Sequence, residues 1–320
     1  MDRRQGSRVS WAKALKNRNE ARIEEIRRRP GNAAKSPLVA PRHRHENSRD
    51  GKGEAVSRYM FLPGFAIGAF PNHLNRSSLI APIARGERKQ HSKTKMVTRR
   101  DCVLEYSGEQ LDEADGDLIM ALIAFAQPFP LGDPVRLNRK QLLRKIKRGA
   151  IGSSQYEWLY RSMKRLREAT LFLEALKPDG STRYTVGRME SFNILKSLSY
   201  DSETYRYTLD PHWILMFGNR EYSLIDWGKR LQIRRGLDMA KTLQRLIATS
   251  SDRVQRYALE GLRAQMAYGG RLRDFRDSLG RAVCELERLE IIVRGCIQDS
   301  SRGKPQLVLW LPPERFDAVA

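Results

Sequence analysis

Hydrophobic and polar positions alternate along Asp101–Gly108, DCVLEYSG, in the manner of a half-buried strand: Val103, Leu104 and Tyr106 pack while Glu105 faces outward. The next segment, GEQLDEADGDLIMALIAFAQ, is apolar nearly all round after an acidic start, which predicts a buried central helix with carboxylates at the positive end of its dipole. A short strand then leads to Asn138, a residue suited to cap a brief helix that Gly149 and Gly152 end. In SSQYEWLYRSMKRLREA, Leu159, Met163 and Leu166 fall on one helical face. Ser154, Glu157, Arg161 and Lys164 fall on the opposite face, with Tyr160 and Arg165 beside them. A strand over 170–176, a turn at Asp179-Gly180 and a return strand from Tyr184 to Leu195 follow. Helix, turn, basic helix and hairpin make a winged helix-turn-helix, with the hairpin as the wing.

The pattern recurs. YRYTLDPHWILMF reads as a strand leading into a turn and a short helix, and Met239, Leu243 and Leu246 make the following segment amphipathic. VQRYALEGLRAQM supplies a candidate first helix of a second helix-turn-helix, stopped by Gly269 and Gly270. RLRDFRDSLGRAVCELERLE supplies the second, with a core stripe of Leu272, Phe275, Leu279, Val283 and Leu286. Asp274, Asp277 and Arg281 face away from that stripe, and Arg271, Arg273 and Arg276 surround the helix start. EIIVRGCI, the turn DSSRGKP and QLVLWL form a second wing. The expected class is α+β, with two tandem winged-helix domains, 56–200 and 201–320, after a disordered basic tail, 1–55. The tail holds one short helical pattern, Trp11 to Arg29, and too few apolar residues to offset its ordering entropy.

Charge narrows the function. The chain has 59 Lys+Arg against 37 Asp+Glu, a net +22, which calls for a polyanionic partner. The longest apolar run, Leu118–Ala126, is too short to span a bilayer, and the N-terminus lacks the apolar core of a secretory signal, so no membrane partner is expected. Cys102, Cys284 and Cys296 form no CxxC pair, pointing to a reducing cytoplasm; Cys284 reads as a small core residue. The loop Arg85–Lys95 reads either as a phosphate contact or as a mobile charged loop.

Double-stranded DNA is therefore the expected partner, although a cationic helix face alone is equally a solvated face. Arg161 is the first candidate for a bidentate contact to guanine, and Arg281 is its counterpart in the second domain. Glu157 suits either a cytosine amino group or a helix-start hydrogen bond, while Arg273 and Arg276 suit phosphates. Tyr156, Trp158 and Tyr160 read as packing residues before they read as base-stacking ones. No enzyme motif stands out. His43-Arg44-His45 has the wrong middle residue for a nicking site, Asp50-Gly51-Lys52-Gly53 is not a phosphate loop, and no metal-ligand spacing occurs. No cofactor is expected.

Five stretches in order, PNHLNRSSLI (71–80), LEYSGEQLDEADGDLIMALIAFAQ with PLGDPVRL (104–137), YEWLYRSMKRLREAT, HWILMFGNREYSLIDW (212–227) and DFRDSLGRAVCELERLEIIV (274–293), resemble plasmid replication initiators of the TrfA type, in the iteron-binding group. The resemblance implies two winged-helix domains that bind direct repeats at a plasmid origin as a monomer, with recognition helices at 154–168 and 272–288. It further implies homodimers in copy-number control, melting of a nearby A·T-rich segment, and recruitment of host DnaA and replicative helicase. The chain shows no Gln-Leu-x-Leu-Phe segment for the sliding clamp. A transcriptional regulator with the same domains, acting as an autorepressor, is the alternative reading.

Overall fold

The computed structural model describes residues 62, 68–83, 88–148, 152–187, 192–218 and 221–313. The chain divides into two units, Met1–Val56 and Ser57–Ala320, and all of these residues belong to the second. The expected tail and its helix lie outside the described residues.

The first elements are β1 (Ala69–Pro71), α1 (Asn72–Asn75), β2 (Ile80–Ala81), β3 (Gln90–Lys95), β4 (Cys102–Glu109) and β5 (Leu111–Asp112). Next come α2 (Glu113–Ala126), β6 (Val135–Asn138), α3 (Arg139–Lys145), α4 (Ser153–Glu168), β7 (Thr170–Leu176), β8 (Thr182–Val186), β9 (Phe192–Asn193), β10 (Leu195–Tyr200) and β11 (Thr204–Leu209). The chain continues through α5 (Trp213–Gly218), β12 (Tyr222–Leu224), α6 (Trp227–Arg230), α7 (Asp238–Ala248), β13 (Val254–Ala258), α8 (Leu259–Gln265), α9 (Leu272–Arg288), β14 (Arg294–Asp299) and β15 (Pro305–Trp310).

Local chemistry sets these helices. The Asp112 carboxylate accepts the Asp115 N–H and the Asp115 carboxylate accepts the Asp112 N–H, a reciprocal cap that starts α2. Asn138 caps α3 by accepting the Lys140 N–H at 2.8 Å. In α4 the residues Leu159, Met163 and Leu166 are buried, as their spacing predicts. In α9 the buried stripe is Phe275, Leu279, Ala282, Val283 and Leu286; Leu272, expected in it, is 44% exposed because it opens the helix beyond the reach of the core.

One order of elements occurs twice. In α2, β6, α3, α4, β10, β11 the sheet order is β6-β11-β10; in α7, β13, α8, α9, β14, β15 it is β13-β15-β14. The last strand of each copy therefore inserts between the other two. The turns before α4 and α9 also match. Lys147 and Ala267 are both left-handed, at φ 50° and 49°. The Arg148 and Tyr268 N–H groups reach back to the carbonyls of Leu143 and Arg263, each at 3.0 Å, closing the helix ends alike.

The first copy departs from expectation at its hairpin. The β7–β8 hairpin is not the strand pair that flanks α4. It joins a five-stranded sheet, order β3-β4-β7-β8 with β9 on β7, in which Cys102↔Ala175 through Ser107↔Thr170 are paired. The reason is complementary alternation: Cys102, Leu104 and Tyr106 on β4 and Leu171, Leu173 and Ala175 on β7 bury matching faces. Val103, expected to pack, is only half-buried. The expected return strand 184–195 is split, and Gly187 (φ +82°) explains the break, since a Cβ there would lie 2.5 Å from the Leu171 carbonyl oxygen. The partner of β6 is β11, whose Tyr205 and Tyr207 face Leu137 and Val135 across the ladder.

Two further expectations change. Gln90–Lys95 of the basic loop forms β3 and pairs with β4. The expected division at 200/201 falls inside the β10–β11 hairpin, whereas the two hydrophobic cores end and begin at Ile225 and Ile233. The junction is therefore α6 and the loop after it.

Candidate nucleic-acid interface

Each copy exposes the outer face of its last helix. On α4, Ser154 and Glu157 are exposed, Tyr160 is 48% exposed, and Arg161 and Lys164 point to solvent. Their charges are partly matched along the helix, Arg161 with Glu157 and Lys164 with Glu168 at 3.8 Å. Exposed i,i+4 pairs of this kind are worth about 0.3–0.5 kcal/mol, so an incoming phosphate or base edge can displace them cheaply. On α9, Arg271, Arg273, Arg276, Asp277 and Arg281 are all exposed, and Arg281 donates to the Ser278 hydroxyl at 2.9 Å. Ten of the eleven side chains named from the sequence are thus exposed along α4 or at and along α9.

Arg165 is the exception. Its side chain is 10% exposed and turned inward, where Nη1 lies 2.9 Å from Asp115 and Nε 3.1 Å from Glu109. Asp115 also accepts from the Ser162 hydroxyl and from Arg88. A cation so committed holds α4 onto the start of α2 and is a positioning residue for the exposed face.

Asp115 belongs to a buried ionic cluster that goes beyond the dipole-complementing carboxylates expected at the start of α2. Glu113, fully buried, accepts from Arg230 at 2.7 Å, from Arg245 at 2.6 Å and from the Thr242 hydroxyl at 2.7 Å. Asp117 pairs with Arg230 and Lys241, and Asp112 with Arg88. Burial alone would raise the Glu113 pKa, but Arg245 and Arg230 outweigh it and hold it at about 2. Asp112 goes the other way: burial and neighbouring Asp115 push it up to about 6 against the pull of Arg88. A helix start with acids at alternate positions, Glu113, Asp115 and Asp117, in an otherwise apolar helix was the available signal, because a dipole needs only one of them.

Beside α4 an aromatic cluster joins helix to hairpin. Tyr160 lies 6.0 Å from Tyr200, which stacks on Tyr205 at 4.7 Å. Arg139 donates to the Tyr200 hydroxyl at 3.0 Å and sits over the Tyr156 ring, while Arg148 sits over Trp158. Tyr156 and Trp158 are thus packing residues, and Tyr160 alone of the three stays largely open. Trp213 is fully buried. Cys284, expected in the core, is exposed because it falls between the buried positions Ala282–Val283 and Leu286 on the outer side of α9.

The hairpin turns differ in charge. Asp201 and Glu203 occupy the β10–β11 turn, whereas Arg302 and Lys304 occupy the β14–β15 turn. Arg136 and Arg206, missed in the sequence, sit directly opposite on β6 and β11, both exposed; like charges so placed repel unless an anion lies over them. Among the described residues, no group of three or more His, Cys, Asp and Glu is placed to hold a metal ion, and no helix is long and apolar enough to cross a membrane.

In sequence the chain matches no described protein family and no curated relative. In structure it is similar to a crystal structure of domains 2 and 3 of RctB, with a TM-score of 0.50 and 13% identity, over 72% of this chain and 94% of that one. A second structure of RctB domains 2-3 aligns with a TM-score of 0.49 and 12% identity, over 74% and 97% of the two chains. The first match extends over nearly all of a two-domain fragment, and the chain shares its fold.

Proposed function

We propose that the chain is a plasmid replication initiator whose two repeated units are winged helices that read double-stranded DNA. On this reading α4 and α9 enter major grooves, and the β10–β11 and β14–β15 hairpins are the wings. The observation that carries it is the repeated order with its inserted last strand, each copy presenting one exposed, cation-bearing helix. The net charge of +22 supplies the attraction to phosphate. Two unlike readers joined in one chain suit an asymmetric, directly repeated site, read in major grooves about 34–36 Å apart.

In this reading Arg161 and Arg281 pair with base edges, Arg271, Arg273 and Arg276 hold phosphates, and Ser154, Glu157, Tyr160, Lys164 and Asp277 line the contact. Adjacent copies on repeated sites would bend the duplex and open a neighbouring A·T-rich segment, where A·T-rich steps deform and unstack most easily. Binding supplies the free energy, so no nucleotide cofactor is needed. Host DnaA, the replicative helicase and a regulatory homodimer are partners that the resemblance to plasmid initiators brings to the proposal.

Footprinting the full chain on DNA flanking its own gene tests it. The expected result is regularly spaced protections in one orientation with permanganate-reactive thymines beside them. A single protected operator without reactive thymines would replace the initiator by a transcriptional regulator, and no protection would remove the DNA reading altogether.

A further inference from the structure

The loop 231–237 leads from α6 into α7 at the junction of the two hydrophobic cores, and its backbone is fixed on both sides. The N–H groups of Gln232 and Ile233 continue the turn of α6 by donating to Lys229 and Arg230 carbonyls at 3.0 and 3.3 Å. The Arg234 N–H donates to buried Glu285 at 2.8 Å, and Arg288 donates to the Gln232 carbonyl at 3.1 Å, which seats the loop against α9. Gly236, at φ +82° with open space around it, reverses the chain towards α7.

A pinned backbone leaves two adjacent arginines projecting. The Arg234 side chain is 68% exposed, with Nε 3.7 Å from Glu285, and lines a surface groove of about 600 Å³ with Arg276, Asp277, Arg281 and Arg288 of α9. Arg235 is exposed and makes no hydrogen bond or ion pair among the described residues. Arg234 thus stands beside the exposed face of α9, with Arg235 next to it in the chain. Glu285 balances part of this charge, and the exposed Arg235 keeps a guanidinium open to an incoming anion.

When two helices occupy successive major grooves on one face of a duplex, the minor groove between them faces the protein midway. The loop at the junction of the two cores is the corresponding segment of the chain, and it lies beside the exposed face of α9. A narrow, A·T-rich minor groove concentrates negative potential and draws in arginines. We propose that Arg234 and Arg235 enter this minor groove, which makes the loop a third DNA-reading element selecting A·T pairs between the two major-groove contacts. The proposal rests on the DNA-binding reading above.

The test uses the full chain and duplexes recovered by its own selection from a random-sequence pool. The pairs between the two selected blocks are then made A·T, inosine·C or G·C. Inosine·C presents the minor-groove edge of A·T and the major-groove edge of G·C, so it separates the two grooves. Wild type is expected to bind the A·T and inosine·C duplexes alike and the G·C duplex about tenfold more weakly, the scale of one mismatched pair. Arg235→Ala, whose side chain makes no hydrogen bond or ion pair that the fold requires, and the double variant with Arg234→Ala should bind all three duplexes alike. Arg161→Ala should keep the spacer preference. A wild type indifferent to the spacer, or an Arg235→Ala protein that retains the G·C penalty or loses affinity equally for all three, overturns the minor-groove assignment alone. A pool that yields no preferred sequence overturns the DNA reading with it.

Discussion

Replacing Glu113 by Gln removes one charge from the most enclosed point of the structure without changing its size. In the wild type that carboxylate faces two guanidiniums, Arg230 and Arg245, all three groups having no exposed surface. The amide keeps one acceptor oxygen but turns an NH2 donor towards the guanidiniums, so Arg245 loses its carboxylate partner and keeps the carbonyls of Asn75 and Ile80, while Arg230 keeps Asp117 and the Lys241 carbonyl. Two routes give the cost. Removing one partner of a buried pair typically costs about 3–5 kcal/mol. Independently, a carboxyl held at about 2 instead of 4.5 stabilises the fold by about 3 kcal/mol at neutral pH. At about 2–4 °C per kcal/mol, Glu113→Gln should lower the thermal midpoint by about 6–20 °C, read by circular dichroism on the full chain.

The pH dependence supplies the sharper check. A depressed carboxyl contributes its full stabilisation above 4.5 and loses it as pH falls towards 2, so the gap between wild type and Glu113→Gln should narrow across that window. A midpoint within about 2 °C of wild type at neutral pH, or a gap that stays constant as the pH is lowered, would show that Glu113 is not the counter-ion of Arg230 and Arg245.

Arg161→Ala should cost about 1–3 kcal/mol of DNA affinity and relax base choice at one position; a uniform loss over all sequences in a binding-site selection would reduce Arg161 to a phosphate contact. With a thiol reagent, Cys284 should react first and Cys102 only on unfolding, since one is exposed and the other buried with its pKa pushed by burial to about 12. Bound DNA should slow the first reaction, and an unprotected Cys284 would place α9 off the duplex. Ala267→Gly should raise stability by up to about 1 kcal/mol in urea titrations, because a left-handed alanine carries a steric cost that glycine lacks. A loss of stability would mean that the flexibility added to the unfolded chain outweighs that relief.

Most of the helical framework was legible because its signals are local. The spacing of Leu159, Met163 and Leu166 places α4, and Asn138 marks the start of α3, without reference to anything more than a few residues away. Strand partners were less legible. The alternation of β7 fits β4 as well as any neighbour, and only the matching of Tyr205 and Tyr207 with Leu137 and Val135 decides that β11 closes the first unit. Register is a property of two segments at once, so a hairpin signal at Asp179-Gly180 locates a turn without saying which sheet it serves.

The carboxylates of α2 show the same limit in electrostatic form, and it bears on function. A helix dipole accounts for an acidic first turn at about 0.3–1 kcal/mol, so the local explanation appeared sufficient. The partners that account for the burial of Glu113 lie 117 and 132 residues further on, at Arg230 and Arg245. Because Asp115 meanwhile holds Arg165 and Ser162 of α4, a single helix start fixes α4 on one side and α7 on the other. Helix α7 in turn packs against α9 in the second core. The separation between the two exposed faces is therefore set by buried charge pairs rather than by a slack linker. On the proposed reading, recognition of one spacing between two DNA segments requires that stiffness; two independently tethered domains would tolerate many.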